Sequence, residues 1–260
     1  MNEEFKAIGE KIRSCLESTR FRDHVEGKAW EYTWMEGFRI EVSVLLNLKL
    51  GDRVLDIGCG DGWYSIQNAL AYPYVRFVGV DLYEADEARE IAGLVGAWNC
   101  EFYKMDVLEM NFEEEFDHIV SFMALGNICE TPSDIEKLFK NCWKALKNKG
   151  KLLIVEAFEE DFPEEVRAKL RSLYEFYRRL GKSVGEDKET ILNKRVTLDI
   201  LETVGFTILK HIKREFSWHM DREEVKEYFD FKELPIEIPE KFWVFDKPKQ
   251  VAVILAEKQA

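Results

Sequence analysis

The sequence predicts an α/β fold with a largely parallel sheet that is covered on both faces by helices. Short apolar runs of strand length alternate with longer stretches that carry apolar residues at helical spacing, first at 53–57, 62–71 and 76–81. Gly51-Asp52 and Pro73 separate these segments as turn and helix-ending residues. Repeated strand–helix units place neighbouring strands parallel, because each helix returns the chain across a face of the sheet.

The elements are assigned in chain order from these patterns. Apolar residues at helical spacing predict two helices within residues 4–48, and the first carries Phe5, Ile8 and Ile12 on one face. Five strands follow, at 53–57, 76–81, 100–104, 116–122 and 151–157.

Helices are predicted between these strands and after the last of them. Those between the strands cover 62–71, 85–95 and 131–146, the last opening with the capping residue Thr131 and a first-turn proline. A long charged helical region begins near residue 159, and a further helix is predicted at 198–204. Two strands, at 206–216 and 251–256, close the chain.

A glycine turn follows the first predicted strand. Gly58, Gly60 and Gly62 occupy alternate positions after the apolar run that contains Asp56. Glycine suits positions where the backbone needs positive φ or where a ligand approaches it closely. A strand, a glycine turn and a helix N-terminus together form a site for a nucleotide-like ligand. The NAD fingerprint G-x-G-x-x-G does not fit, because Trp63 stands where that fingerprint has its third glycine.

The string Asp56-Ile-Gly-Cys-Gly-Asp-Gly62 resembles the first motif, E/D-x-G-x-G-x-G, of the class I S-adenosylmethionine (SAM) methyltransferases. The resemblance implies a Rossmann-like sheet of seven strands with an antiparallel last strand, flanked by helices and supplemented by helical cap segments. It covers about residues 50–157 and 198–257. We therefore expect an N-terminal helical lid at 1–49 and a SAM-binding domain at 50–260, with insertions at about 158–197 and 217–249.

The end of the second strand is expected to bind the ribose of SAM. Asp81 ends that strand 23 residues after Gly58, close to the spacing of a ribose-binding acid. The competing interpretation is a strand-end aspartate that caps the next helix. Leu82, which follows, is expected to pack against the adenine.

The resemblance also assigns partners to the adenine and to the methionine end of SAM. Asp106 would accept from the exocyclic amine, and the amide of Val107 would donate to the ring. The methionine end would lie against the glycine turn, where Asp56 orders either the turn or the ammonium. The remaining cofactor-binding residues are Gly58, Cys59, Gly60, Gly62 and, through its carbonyl, Phe122.

The methyl acceptor is expected beyond the fourth strand. Leu125-Gly-Asn127 resembles the corresponding segment of some small-molecule N-methyltransferases, although Asn127 equally suits a left-handed or capping position. The chain lacks the Asp/Asn-Pro-Pro-Tyr/Phe segment of enzymes that methylate DNA adenine or protein glutamine. Further candidates for contacts with SAM or its acceptor come from aromatic segments early and late in the chain, where a purely structural role is the alternative: Tyr32, Trp34, Arg39 and His219.

Composition favours a globular protein of a reducing compartment. The formal net charge of −13 argues against a nucleic-acid partner, since such partners are bound by neutralising phosphates. The five cysteines show no C-x-x-C pair and no metal-ligand spacing with the four histidines, so we expect free thiols and no metal. No apolar run reaches the roughly 18 residues that span a bilayer, and no export signal is recognisable. We therefore expect a cytoplasmic protein without a membrane partner. The sequence is compatible with an oligomer.

The leading hypothesis is a SAM-dependent methyltransferase that acts on a nitrogen or oxygen nucleophile of a small molecule and releases S-adenosylhomocysteine. The sequence assigns no catalytic side chain, because a general base is needed only where the acceptor arrives protonated. Two alternatives stay open. One is an RNA or protein methyltransferase, and the other is a SAM-binding regulator without turnover.

Overall fold

A computed structural model of the chain describes residues 3–21, 37–179, 193–220 and 245–259. These residues form one seven-stranded sheet with the order β3-β2-β1-β4-β5-β7-β6. The first five strands are parallel to one another, and β7 runs antiparallel to both β5 and β6. The strands are β1 Arg53–Ile57, β2 Arg76–Asp81, β3 Cys100–Lys104, β4 Phe116–Phe122, β5 Leu146–Glu156, β6 Phe206–Met220 and β7 Phe245–Lys258.

Helices precede, connect and follow these strands. The described α-helices are α1 Glu3–Leu16, α2 Phe38–Ser43, α3 Trp63–Ala71, α4 Ala85–Val95, α5 Leu125–Ile128, α6 Pro132–Ala145, α7 Glu164–Arg179 and α8 Lys194–Val204. Short 3₁₀ turns cover Val44–Leu46, Val107–Glu109 and Glu159–Asp161. None of the described helices combines the length and apolar character that crossing a bilayer requires.

The sheet is buried on both faces, as the sequence predicts. Successive strand side chains point to opposite faces, so Leu153 and Val155 join one core cluster whereas Leu152 and Ile154 join the other. The first cluster lies under α1, α2, α3 and α4, and the second lies under α5, α6 and α8. This architecture confirms the predicted α/β sheet with an antiparallel last strand.

The predicted bounds of β1 to β4 coincide with those of the structure, whereas the later strands are longer than predicted. β5 begins at Leu146, and β6 and β7 pair from Phe206↔Lys258 out to Met220↔Phe245. The predicted insertion at 217–249 is therefore strand at both of its ends. Because β5 pairs with β7 only up to Glu156↔Ala252, the β6–β7 ribbon continues past the carboxyl end of the sheet.

The two helices predicted at 4–48 have different positions. α1 packs on α3 and α4, where Ile12 and Leu16 are completely buried. Arg20, just after α1, donates to Glu90 on α4, with 2.5 Å between Nη2 and Oε2. α2 lies instead at the carboxyl end of the sheet, next to α3.

An ion cluster joins the segment after β5 to α8 and β6. The carboxylate of Asp161 is 1% exposed and pairs with the ammonium groups of Lys194 and Lys213, the latter at 2.6 Å. Burial alone raises the pKa of Asp161, but the two lysines outweigh it and hold that pKa below its usual value. The backbone amide of Lys194 also donates to Glu160 at 2.9 Å.

Replacing Asp161 with alanine should lower the free energy of unfolding by about 1–3 kcal/mol, since two cations lose their shared partner. The exposure of Lys213 keeps the expected cost below that of a fully buried pair. Urea unfolding measures the change. Asp199→Ala is the matched control, because Asp199 is exposed and 3.9 Å from its partner. Equal stability of the two variants would contradict a structural role for the cluster.

Candidate functional site

A cleft of about 670 Å³ opens at the carboxyl ends of β1 to β4. The strand order reverses there, because β2 and β3 lie on one side of β1 and β4 lies on the other. Crevices at such reversal points are the usual ligand sites of open α/β sheets. The structure brings these predicted site residues into the cleft lining: Arg39, Asp56, Gly58, Cys59, Gly60, Asp81, Leu82, Asp106, Val107, Phe122 and Asn127.

Gly58 and Gly60 form the turn that leaves β1. Both have positive φ, 66° and 52°, which L side chains adopt only with strain. A Cβ atom on Gly58 would lie 2.8 Å from that of Ala124 at the start of α5. A Cβ atom on Gly60 would have only Glu84 Oε2 within 4 Å, at 3.4 Å. Gly60 therefore keeps the cleft open, whereas Gly58 also permits close packing of the chain after β4.

Gly62 packs against neighbouring elements and does not line the cleft. It precedes α3 with φ 83°, and a Cβ atom there would lie 2.9 Å from Ala88 on α4 and 2.9 Å from the ring of Phe102 on β3. Gly79 on β2 has a similar constraint, since its Cβ would lie 2.4 Å from the same ring. The predicted contact of Gly62 with SAM finds no support in this position.

Asp81 connects the glycine turn to the chain that follows β2. Its Oδ2 accepts from the amide of Gly60 at 3.0 Å, and its Oδ1 accepts from the amides of Tyr83 at 2.8 Å and Glu84 at 3.0 Å. The capping interpretation thus describes part of its role. A carboxylate has about four acceptor positions, so one remains for a ligand hydroxyl without displacing these amides.

Asp106 begins the 3₁₀ turn after β3. Its Oδ1 accepts from the amide of Leu108 at 2.9 Å. Asn141 on α6 donates from Nδ2 to the carbonyl of Leu108 at 2.9 Å, which fixes the turn against that helix. Val107 is buried, and its side chain belongs to the core on that face of the sheet. Asp106 and Asp81 therefore stand at the ends of adjacent strands on rigid backbone.

An aromatic platform, formed by Phe38, Tyr64 and Phe122, lies at the other end of the cleft. The ring of Tyr64 stacks on Phe122 with centroids 5.6 Å apart, and Phe38 meets Phe122 edge-on at 6.0 Å. The guanidinium carbon of Arg39 lies 5.6 Å from the Phe122 centroid. Met123, which follows Phe122 in the chain, has φ 54°, an unusual value for a non-glycine residue. Such conformations persist where tertiary packing imposes them, often at functional sites.

Asp56 is a buried carboxylate beneath this cleft. It is 1% exposed, and its Oδ2 accepts from Ser65 Oγ on α3 at 2.7 Å. Burial raises its pKa to about 7, the charge of Asp81 adds to the rise, and the Ser65 hydrogen bond and Arg39 oppose it. Cys59, also in the turn, has its thiol pKa raised by burial, so it is an inert thiol at neutral pH.

The structure places the residues predicted to contact SAM or its acceptor in different regions. Arg39 and Asn127 line the cleft, and Asn127 lies within α5, so it occupies neither a left-handed nor a capping position. Tyr32 and Trp34 lie outside the described residues. His219 lies on β6 opposite Asp246 of β7, in the part of the ribbon beyond the carboxyl end of the sheet.

A sequence model described as "Methyltransferase domain" matches residues 48–231, which is more than half of the chain. The chain belongs to this methyltransferase family.

Relatives named as methyltransferases match part of this chain, and a solved structure shares its fold. Phosphoethanolamine N-methyltransferase 1 of Triticum aestivum is 32% identical over 165 residues, 56% of this chain and 32% of the relative. Juvenile hormone acid O-methyltransferase of Bombyx mori is 31% identical over 112 residues, 41% of this chain and 38% of the relative. The chain thus spans less than half the length of these curated relatives. A SAM-dependent methyltransferase from Methanosarcina mazei has the same fold, with a TM-score of 0.59, 20% identity and coverage of 83% of this chain and 97% of that one.

Family membership implies SAM as the cofactor, and the residues of the cleft fit it. The turn at Gly60 leaves open space where any other residue would place a Cβ atom. Acidic side chains at the ends of β2 and β3 match the hydroxyl and amine donors of an adenosine. Tyr64 and Phe122 of the aromatic platform supply an apolar wall at the other end of the cleft.

The raised pKa of Asp56 predicts that this carboxyl group makes the protein less stable as the pH rises. Between about pH 4 and pH 7 the folded state holds a proton on Asp56 that the unfolded chain has lost, so stability falls through this window. The expected contribution is about 1–3 kcal/mol. Urea unfolding from pH 4.5 to 8 measures it as the difference between the wild type and Asp56→Asn, which keeps an acceptor for Ser65. A pH-independent difference would contradict the prediction.

Sequence reasoning missed several residues that shape the candidate site, and most of them carry no sequence signal. Tyr64 follows the glycine motif as an ordinary helix residue, and the strain at Met123 depends on what surrounds it. Gly79 is an isolated glycine inside a strand, which indicates a close approach without naming the partner. The close approach at Gly79 could therefore have been predicted from the sequence.

Proposed function

We propose that this chain transfers a methyl group from SAM to a nitrogen or oxygen nucleophile of a small-molecule acceptor. The observation that carries the proposal is the arrangement of one cleft. The glycine turn and Asp81 lie at its centre, Asp106 lies at one end, and the aromatic platform lies at the other. A ligand that combines a nucleoside with a charged aliphatic arm fits such a cleft along its length.

Within this proposal each strand end has one task. Asp81 accepts from a ribose hydroxyl, and Asp106 accepts from the adenine amine. The turn at Gly58 and Gly60 lies against the methionine end, and the carbonyl of Phe122 accepts from its ammonium. Asp81 and Phe122 are paired strand residues, and hydrogen bonds hold the turns at Gly58, Gly60 and Asp106, so the site is organised before the ligand binds.

The residues around the platform position the acceptor and exclude water. SAM supplies, when bound, a methyl group that its sulfonium has already activated. The chain therefore needs to hold a nucleophile in line with that methyl, and well-oriented reactants gain roughly 7–11 kcal/mol in favourable systems. Tyr64 and Phe122 are packed face to face and fix one wall of this space.

Two features favour a small acceptor. The curated relatives named above include an N-methyltransferase and an O-methyltransferase, both named for small molecules. The net charge of −13 opposes binding of RNA. Asn127 remains the candidate for an acceptor contact, since it lines the cleft on the short helix after β4.

The segments at 1–49, 158–197 and 217–249 are proposed to complete the acceptor chamber. α2, in the first of them, contributes Arg39 to the cleft lining. The β6–β7 ribbon reaches the same end of the sheet, and Arg214 on it donates to Glu41 on α2, with 2.5 Å between Nη2 and Oε1.

Methyl transfer is tested with methyl-labelled SAM and three sets of acceptors: small amines, alcohols and carboxylic acids; RNA fragments; and unfolded proteins. We expect label in a small molecule, together with an equal amount of S-adenosylhomocysteine. Asp81→Ala serves as the inactive control. Label in RNA or protein would overturn the acceptor class. Tight SAM binding without any transfer would instead favour a regulator.

A further inference from the structure

One face of the sheet at β3 is not covered by a helix from the connection that follows this strand. α3 joins β1 to β2 and α4 joins β2 to β3, whereas residues 105–115 join β3 to β4 with a short 3₁₀ turn. Glu101 and Tyr103 of β3 are paired with two valines of β2 that belong to the second core cluster, so they project from that face. Both side chains are exposed, and β3 is the last strand on its side of the sheet.

A groove of about 590 Å³ lies at the amino ends of β1, β2 and β3, at the opposite end of these strands from the cleft. Its lining includes Arg76 and Glu101 from the strands, Leu70 and Pro73 from the end of α3 and the turn after it, and Trp98 from the turn before β3. Trp98 is 83% exposed. A large aromatic side chain that lies in water beside a groove is typical of a surface that binds another protein.

The groove is formed within a single copy of the chain. Asn99 donates from Nδ2 to three backbone carbonyls between Ala69 and Val75, at distances from 2.8 to 3.3 Å, and so fixes the end of α3 against the start of β3. The indole of Trp98 lies close to the end of α4, since its Nε1 is 3.6 Å from the position that a Cβ atom on Gly96 would take. A partner would therefore meet a surface that is already shaped.

The charges on this surface are of both signs and are not paired with each other. Among the described residues, neither Arg76 nor Glu101 forms an ion pair, and Glu101 accepts from the hydroxyl of Tyr103 at 2.8 Å. A two-fold axis brings residue i of one copy to residue j of the other and residue j to residue i. Arg76 of each copy can therefore pair with Glu101 of the other, and both charges are then satisfied.

The overall charge favours the same place for self-association. The chain carries a net charge of −13, so two copies repel each other over most of their surfaces. The charged groups that line the groove are two arginines, Arg53 and Arg76, and one acid, Glu101. Two copies can thus approach at this surface against little repulsion.

The outer edge of β3 is protected against simple addition of another strand. Arg89 on α4 donates from Nη2 to the carbonyl of Phe102 at 2.6 Å, which occupies an acceptor in the middle of this short strand. Blocked or charged edges are a common defence against strand pairing between chains. The contact is therefore expected to use side chains and not the strand backbone.

We propose that this surface, which comprises the groove, Trp98 and the exposed side chains of β3, is the interface of a two-fold symmetric homodimer. Trp98 of each copy enters the groove of the other, and Arg76 pairs with Glu101 across the axis. Aromatic side chains seated in pockets carry much of the binding energy of such interfaces. Because the cleft lies at the other end of the strands, each copy keeps its own cleft open.

Sedimentation velocity at micromolar concentrations tests the role of Trp98. The wild type should be a dimer, and Trp98→Ala should weaken dimerisation about 10- to 100-fold. Trp98→Phe keeps an aromatic ring and should lie between the two. Leu209→Ala is the matched control, because Leu209 is 46% exposed on β6 at the opposite edge of the sheet, and it should leave the dimer unchanged.

Exchanging the charges tests the two-fold arrangement. Arg76→Glu and Glu101→Arg should each weaken dimerisation, since each places like charges opposite one another in a dimer of identical copies. An equimolar mixture of the two variants should form a heterodimer, because every facing pair then has opposite charges. Rescue by mixing can arise only from contact between chains, so it separates the interface from any effect on folding.

A monomeric wild type would overturn the inference, as would a dimer that the Trp98 and charge variants all leave intact. Failure of the mixture to associate would overturn the pairing of Arg76 with Glu101. A monomer in which Trp98 is shielded from a soluble fluorescence quencher, measured as the difference from Trp98→Phe, would assign the groove to another segment of the same chain and would also overturn the inference.

Discussion

Replacing Asp81 with alanine is expected to weaken SAM binding about 100-fold or more, equivalent to roughly 3 kcal/mol, as measured by calorimetry. The ribose would lose the carboxylate that accepts from one of its hydroxyls. That carboxylate would also stop holding the amides of Gly60, Tyr83 and Glu84, so the turn that faces the cofactor loses its anchor. These two losses act on the same ligand, which is why the expected effect is large.

The control for Asp81 is Asp86, five residues further along the chain. Asp86 is exposed on the first turn of α4 and pairs with Arg89, so Asp86→Ala changes the same net charge without touching the cleft. Its SAM affinity should equal that of the wild type. Asp81→Asn keeps one acceptor oxygen and should lose less affinity than the alanine variant. An Asp81→Ala protein that binds SAM within twofold of the wild type would remove Asp81 from the site.

Replacing Gly62 with alanine should lower the free energy of unfolding by about 2–5 kcal/mol, although Gly62 does not line the cleft. Alanine at φ 83° costs about 1–2 kcal/mol in the backbone. Its Cβ would also lie 2.9 Å from both Ala88 and the Phe102 ring, and overpacking of this kind costs about 1–3 kcal/mol. Urea or thermal unfolding measures the loss.

The same substitution at Gly60 is the matched comparison. There the Cβ would meet only the flexible end of Glu84, so the stability cost should be limited to the backbone strain of about 1–2 kcal/mol. Because Gly60 lines the cleft, its alanine variant should lose SAM affinity instead. If Gly60→Ala were the less stable variant and Gly62→Ala the weaker binder, the roles assigned to the two glycines would be reversed.

β1 and β2 could be placed to the residue from sequence because each is a mostly apolar run that ends at a polar or glycine residue. β6 and β7 were underestimated for a physical reason. They form a two-stranded ribbon beyond the sheet, where pairing between the two strands stabilises polar sequence that has no strand pattern of its own. The 3₁₀ turn at Glu159–Asp161 also depends on Lys194 and Lys213, which lie far along the chain.

The candidate site was predictable where backbone geometry dictates residue type. The carboxyl ends of consecutive parallel strands meet at one edge of a sheet. The residues that lie at or just after the ends of β1, β2 and β3 are Asp56, Gly58, Gly60, Asp81 and Asp106. The platform was not predictable, because Phe38, Tyr64 and Phe122 come from three separate elements. Their spacing along the chain carries no information about their contact.

Sequence by itself determined the fold class, the family and the edge of the sheet where the candidate site lies, since strand periodicity and the glycine turn are local properties of the chain. Tertiary structure decided how the motif is used. It placed Gly62 against Phe102 and Ala88, whereas Gly60 faces the cleft. It also buried Arg39 over Phe122, a position fixed by the packing of α2 on α3. Burial and charge environment depend on the neighbours that folding brings together, and these neighbours are distant in sequence.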